Sequence, residues 1–565
     1  MLKFEDYKYE KIDIDKFKEE FNNHINKFKD SNSFKNQNEE MQHLIEMRNY
    51  FETMATLVEI RQSIDTKDEF YDKEKTYYDE IRPIYQGLVT NYYKALITSK
   101  FRKELTEEWG EWIFKIAELE IKTFSDEIVE DLKLENKLST KYAKLLASAE
   151  IKFDGKILNL SQMGPYLQSK DRKIRKEAAE KATDFFEENE TKFDNIYDKL
   201  VKVRDKMAKK LGYKNFTELG YLRMGRSEYG PEEVKIFRDQ VYKNIVPIAN
   251  KIRKKQEKRL GLEKIKYYDE PLEFLTGNAK PKGDKDWMLD KANKMYSELS
   301  PETKEFFEFM TDKNLLDLET KPGKNMGGYC TYLPDYKSPF IFANFNGTSA
   351  DVDVLTHEAG HAFQNYCSRD FKIPEYIWPT LEACEIHSMS MEFITWPWMN
   401  LFFREETDKY KYSHLASGIL FIPYGVVVDE FQHWVYENPE VKPEKRKKKW
   451  RELEKKYLPL KDYDGKDFYE RGGYWFRQGH IFRDPFYYID YTLAQICAYQ
   501  YWIKFNENRS KAWQDYLNLC KAGGSKPFLE LVEYGNLESP FNKDTVEKIS
   551  DPINDWLNNI DDTKF

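Results

Sequence analysis

Residues Thr348–Cys367 read TSADVDVLTHEAGHAFQNYC, and no other stretch of the chain restricts its fold as tightly. His357 and His361 are four residues apart, a spacing that puts both imidazoles on one face of an α-helix. The chain has 8 histidines in 565 residues, and chance supplies only about 0.01 copies of His-Glu-x-x-His in such a sequence. The pattern predicts a helix over about 349–367. Neutral imidazole nitrogen is a zinc ligand at about 2.0–2.1 Å. Glu358, beside the first histidine, is placed to take a proton from a zinc-bound water. Thr348 and Asp351 have the spacing of a capping box that would start this helix. Asp353, four residues before His357, is either an acceptor for an imidazole N–H or a solvated first-turn acid.

A catalytic zinc site needs a third protein ligand and an open fourth position. Downstream, WPTLEACEIHSMSMEFITWPWMNLFF (Trp378–Phe403) predicts a second helix, mostly apolar yet holding Glu382, Glu385, His387 and Glu392. Carboxylates in apolar surroundings are costly unless paired or metal-bound. Spacing alone does not choose among them. His387, two residues past Glu385, is turned well away from it on a helix and reads as a hydrogen-bonded core histidine. Glu392 reads as structural or as support for a ligand.

The surrounding chain is mainly helical. Residues 1–149 show apolar positions at helical spacing, such as Met47, Tyr50, Phe51, Met54 and Leu57, and form an N-terminal helical region. At Glu150–Met163 the pattern changes, and two short runs flank Asp154-Gly155, a hairpin signal. Residues 150–565 read as a second region. Helices resume over about Asp171–Leu211 and Pro231–Arg259, and Thr276–Asp286 is loop-like. From Lys321 a β-rich stretch contains a predicted strand, Phe340–Phe345, a candidate partner for an extended peptide. The basic run Lys445–Lys449 reads as a solvated helix face.

Composition removes several classes. Aromatic residues make up 16% of the chain, against disorder. The net charge of −9 argues against nucleic-acid binding. The five cysteines are widely spaced without a CxxC pair, which fits a reducing compartment. The N-terminus has no apolar signal core, and the longest apolar run, Ser417–Val428, is broken by Pro423 and Gly425. A cytoplasmic protein without a membrane span is expected. Cys330, in GGYC, would react with thiol reagents if exposed.

HEAGHAFQ followed by ACEIHSM resembles the zinc metallopeptidases of the oligoendopeptidase F and thimet oligopeptidase group, especially the Pz-peptidase-like members. Gln168–Gly220 and Lys321–Asn346 are similar to the family's interdomain helices and to its Gly-rich loop with the following strand; the likeness covers about residues 150–565. It implies a mainly α fold of the HExxH type, with two largely helical halves around a deep substrate channel and a small sheet near the site. It implies one zinc per chain, with His357, His361 and Glu385 as ligands, since Glu385 lies 28 residues after the first histidine. Glu382, one turn from Glu385, then becomes either support for the ligand or a structural ion-pair partner. The segment GHIFRDPFYYIDYTLAQICA (Gly479–Ala498) resembles the one that supplies oxyanion donors, which implies such roles for His480, Tyr488 and Tyr491. Asp484 departs from the thimet pattern, so Tyr487 competes with Tyr488. The implied activity is hydrolysis of internal bonds in unfolded oligopeptides. The alternatives are an HExxH zinc carboxypeptidase and an inactive peptide-binding protein.

Overall fold

Asp13, Ser33 and Asp68 each accept backbone N–H bonds from the turn that follows them. They start the helices Ile14–Asp30, Phe34–Ile64 and Glu69–Ile97, which wrap together with Val129–Ala147. In the first of these, Phe17, Phe21, Ile25 and Phe28 recur at helical spacing, and all four are buried. The computed structural model describes residues 2–565. Its architecture is mainly α-helical with two small sheets.

The expected hairpin forms as β1 (Ile151–Phe153) and β2 (Lys156–Leu158), with Asp154 and Gly155 both at positive φ, 51° and 69°. It packs on Met163, Ala178 and Ala182 as a small separate cluster. The main apolar core is continuous from Phe4 to Leu557. The predicted helix 171–211 breaks at Asn189 into Arg172–Glu188 and Glu190–Lys210. The stretch 231–259 breaks at Ile245, because Pro247 cannot donate to the preceding turn and starts a new helix instead.

The second sheet has the order β3 (Leu316–Glu319), β5 (Ser338–Phe345), β4 (Tyr329–Leu333). β5 is parallel to β3 and antiparallel to β4, with Tyr329 opposite Phe342 and Leu333 opposite Ser338. The expected strand 340–345 is therefore the central one. Both of its edges are taken, so it cannot pair with an extended peptide; the open edge toward the site belongs to β4.

Two helices follow. The motif helix runs from Ala350 to Ser368. The capping box of Thr348 and Asp351 does not form. Gly347 has φ +85°, which turns the chain so that the amides of Asn346 and Gly347 donate to the Asp351 carboxylate at 2.9 and 2.8 Å. The acid helix is shorter than predicted, Leu381–Ile394. Pro397 lacks an N–H, so the chain continues as a 3₁₀ turn (Trp396–Trp398) and a short helix (Asn400–Phe403).

The apolar run 417–428 lies inside the long helix Thr407–Glu437. The stretch Asn400–Glu437 is long and apolar enough to cross a membrane, yet 67% of its most apolar window is buried against the rest of the chain. The basic run 445–449 is not simply solvated. Arg446 and Lys447 are buried: Arg446 pairs with Asp198 at 3.0 Å, and Lys447 with Asp194 at 2.8 Å and with Glu190. Glu190, Asp194 and Asp198 form an acidic row at four-residue spacing on the facing helix.

Candidate metal centre and active site

On the motif helix His357 and His361 point the same way, toward the acid helix. Adding a Cβ to Gly360 would place it 2.6 Å from Ser388 Cα and 2.7 Å from the His387 carbonyl oxygen. The two helices thus cross backbone to backbone, which brings Glu385 under the imidazoles. Its Oε2 is 3.2 Å from His357 Nε2 and 3.4 Å from His361 Nε2. One donor atom from each of the three lies within 4.8 Å of the others. A tetrahedron with zinc–ligand bonds of about 2.05 Å has edges of about 3.3 Å, so the trio fits that ion. Among the described residues no other trio of His, Cys, Asp or Glu converges in this way.

Glu385 is almost fully buried. Burial opposes its charge, but the neighbouring imidazoles outweigh burial and hold its pKa well below the usual carboxylate range. Ser388 Oγ donates to its Oε2 at 2.9 Å and the Tyr487 hydroxyl to its Oε1 at 2.5 Å. Glu358 is buried beside Gly328, and its Oε2 has no hydrogen-bond partner among the described residues. Burial raises its pKa, partly offset by His357 and His361. A carboxylate with one idle oxygen and raised proton affinity suits proton transfer.

Glu392 Oε1 sits 2.7 Å from His357 Nδ1. Asp353 does not fill that place, nor is it solvated; it accepts from the Tyr410 hydroxyl at 2.6 Å, and burial raises its pKa to about 6. Helical side chains lean toward the N-terminus, which carries Asp353 away from His357. Glu382 is buried and accepts from Tyr229 at 2.8 Å, outside the trio. His387 is a core histidine, as expected. Its Nδ1 is 2.6 Å from the Ala383 carbonyl, and burial lowers its pKa to about 4.

The tyrosine helix Tyr488–Glu507 packs along the acid helix, and the short helix Gly479–Arg483 precedes it. Between them Phe486 has φ +69°, a strained conformation for a bulky residue. The Gln432 side chain accepts from its N–H at 2.8 Å and Arg226 donates to its carbonyl at 2.6 Å. This turn aims Tyr487 at Glu385. Gln478 Nε2 is 2.8 Å from His480 Nδ1, and His480 Nε2 is 3.0 Å from the Tyr491 hydroxyl. Burial pulls the His480 pKa to about 4, so it is neutral near pH 7. With Nδ1 accepting from the amide, Nε2–H donates to Tyr491 and leaves the tyrosine proton free to point elsewhere. The Tyr488 ring packs on His480 and Phe421 and lines a cavity of about 390 Å³ with Tyr491 and Glu392. A second cavity, about 320 Å³, separates N-terminal helices (Glu59, Tyr78, Arg82) from Tyr329, Arg483 and Asp484. The Cys330 thiol lies half-buried on β4, and burial and the Glu358 charge push its pKa far up, which lowers its thiolate fraction.

Residues 165–282 and 287–550 match the profile of Peptidase family M3, and residues 4–124 match the Peptidase M3 N-terminal domain. The chain belongs to peptidase family M3. This bears out the resemblance carried by HEAGHAFQ and ACEIHSM. An oligoendopeptidase F homolog of Borreliella burgdorferi is 26% identical over 380 residues, or 64% of this chain and 61% of the relative's length. The solved structure of Pz peptidase A with an inhibitor is 56% identical with TM-score 0.99, covering 99% of this chain and 100% of that one. A Bacillus anthracis str. Ames protein assigned as an oligoendopeptidase F is 55% identical with TM-score 0.95, with 100% of both chains covered. Members of family M3 are zinc metallopeptidases, and in this M3 chain the His-His-Glu cluster stands where such an ion would bind. Sequence reading left the role of Glu392 open, although its place seven residues after Glu385 sets it two turns along the same face. It missed His414, which bonds Glu392 and lies on a different helix with no local motif.

Proposed function

We propose that this M3 chain is a zinc endopeptidase that cleaves internal bonds of short, unfolded oligopeptides. The observation that carries the reading is the convergence of His357, His361 and Glu385, with Glu358 beside them and His480 and Tyr491 facing them. The three ligands would hold one zinc, which when bound polarises a peptide carbonyl and acidifies water. Glu358 takes the water proton on its unpartnered oxygen and returns a proton to the leaving amine. Tyr491, held by the His480 N–H, donates to the developing oxyanion, and Tyr488 forms the wall beside it. Tyr487 holds Glu385 in place.

The open edge of β4 offers backbone groups to an extended peptide, and Gly327-Gly328 keep that edge close to Glu358. Residues 1–149 form one wall of the channel and residues 150–565 the catalytic remainder. A substrate in such a channel has to be unfolded and short. All five cysteines are free, which supports action in a reducing compartment.

The test compares wild type with Glu358→Gln on an internally quenched peptide blocked at both ends, with zinc measured on both. Turnover falls by at least about a thousandfold while zinc stays near one per chain. Equal turnover removes Glu358 as the base. Absence of internal cleavage by wild type removes the endopeptidase reading and favours a carboxypeptidase that trims from a free end.

A further inference from the structure

His357 is the one ligand histidine whose outer nitrogen is engaged among the described residues. Its Nδ1 meets Glu392, whereas His361 Nδ1 is buried without a partner. The chain of contacts continues beyond Glu392. His414, on the long helix, places its Nε2 2.7 Å from Glu392 Oε2, and its Nδ1 is 3.1 Å from the indole nitrogen of Trp396. His414 and Trp396 are both buried. The Tyr410 ring stacks on the imidazole at 5.6 Å and Phe393 meets it edge-on at 4.8 Å, so the ring plane is fixed.

The donor inventory then leaves one arrangement. An indole N–H only donates, so His414 Nδ1 must accept and its proton sits on Nε2. That N–H donates to Glu392, which is acceptor-only when ionised. The other oxygen of Glu392 takes the His357 Nδ1–H. The His357 Nε2 lone pair is left bare and aimed at Glu385 and the ion site. Reversing the His414 tautomer would set two N–H groups against each other at Trp396 and a lone pair against a carboxylate at Glu392. The break in the acid helix at Pro397 matters here, because it turns the Trp396 indole back toward His414.

We propose that His414, locked in one tautomer by Trp396, is a positioning residue of the metal centre: acting through Glu392, it fixes His357 as an Nε2 ligand and slows metal release. The inference rests on the zinc reading above. It is tested on the full-length zinc-loaded protein by the rate of zinc release to excess chelator and by the visible spectrum of the cobalt-substituted protein.

His414→Phe removes the donor to Glu392 and speeds release about 10- to 100-fold, with a changed cobalt spectrum. His414→Gln keeps an N–H toward Glu392 and brings release back to within about threefold of wild type. Trp396→Phe, which frees the tautomer, falls between the two. A role in packing alone predicts that the Phe and Gln variants release zinc at the same rate; that result overturns the proposal, as does a Phe variant within threefold of wild type. If the Phe variant does not fold, Trp396→Phe decides: zinc release more than about threefold faster than wild type supports the proposal, and release at the wild-type rate overturns it. A wild-type protein that binds no zinc overturns the metal reading itself.

Discussion

Glu385 and the residues around it are held by charge, whereas the His480–Tyr491 donor pair beside them is joined by neutral groups. On the metal side, two helices of 19 and 14 residues cross backbone to backbone at Gly360, and buried carboxylates accept from imidazole, hydroxyl and indole-backed donors. On the donor side, a five-residue helix and a positive-φ turn present a neutral histidine bonded to a neutral tyrosine. Charge-assisted bonds in a dry interior are roughly twice as strong as neutral ones, and losing one partner strands a buried charge. The lesson is a division of labour. The metal side is preorganised and intolerant, while the neutral His480–Tyr491 bond can be weakened in steps, even though the turn behind it is anchored by buried Arg226.

The strongest way to break the comparison is to strand the metal wall. Glu385→Ala takes away one ligand and leaves two imidazoles without their acid. Zinc content should fall below about a tenth per chain and turnover by more than about 10⁴-fold, checked by metal analysis and peptide cleavage. Tyr491→Phe tests the donor wall. Turnover should drop about 10²- to 10³-fold with less than about threefold change in KM and unchanged zinc. A parallel rise in KM would mean that Tyr491 binds substrate in the ground state.

The donor wall should also soften in mild acid. His433 lies behind it, with its ring 5.0 Å from Phe486 and its Nε2 3.0 Å from the Tyr221 hydroxyl, and burial lowers its pKa to about 4. The fold favours the neutral form, and the unfolded chain takes up the proton below its ordinary pKa of about 6.5. Stability contributed by this histidine is therefore complete above that pH and lost progressively toward pH 4, by on the order of 3 kcal/mol in total. Urea midpoints at pH 7 and pH 5 should lie closer together in His433→Phe than in wild type, the remaining difference coming from the other buried neutral histidines, His387 and His480. The smallest effect belongs to Ser388→Ala. It removes one of the bonds to Glu385 and should cost about 1 kcal/mol of stability, read by urea unfolding, with zinc retained.

Much of this was legible in the sequence wherever local spacing decides the outcome. The i, i+4 histidines, the Asp-Gly hairpin and the amphipathic helices each follow from a few neighbouring residues, and all formed. Glu385 needed the family resemblance, since four candidate ligands share its apolar helix. What failed was tertiary. Strand 340–345 was visible, but its central position in the sheet depends on β3 and β4. The basic run 445–449 was read by itself, while its burial depends on the acidic row at 190, 194 and 198. His414 and Trp396 carry no motif at all; only the fold brings them to Glu392.

The close approach at Gly360 makes the ligand geometry a property of two peptide backbones more than of the side chains that carry the donor atoms. A side chain can yield by changing rotamer, but a backbone contact of this kind has nothing to yield. Substitutions can accumulate over most of the molecule without disturbing the ion site, while residue 360 and residues 387–391 across the crossing are free to change only as a set. Retuning the site for an ion of different radius would have to begin there, with the gauge between the helices, before any ligand is exchanged.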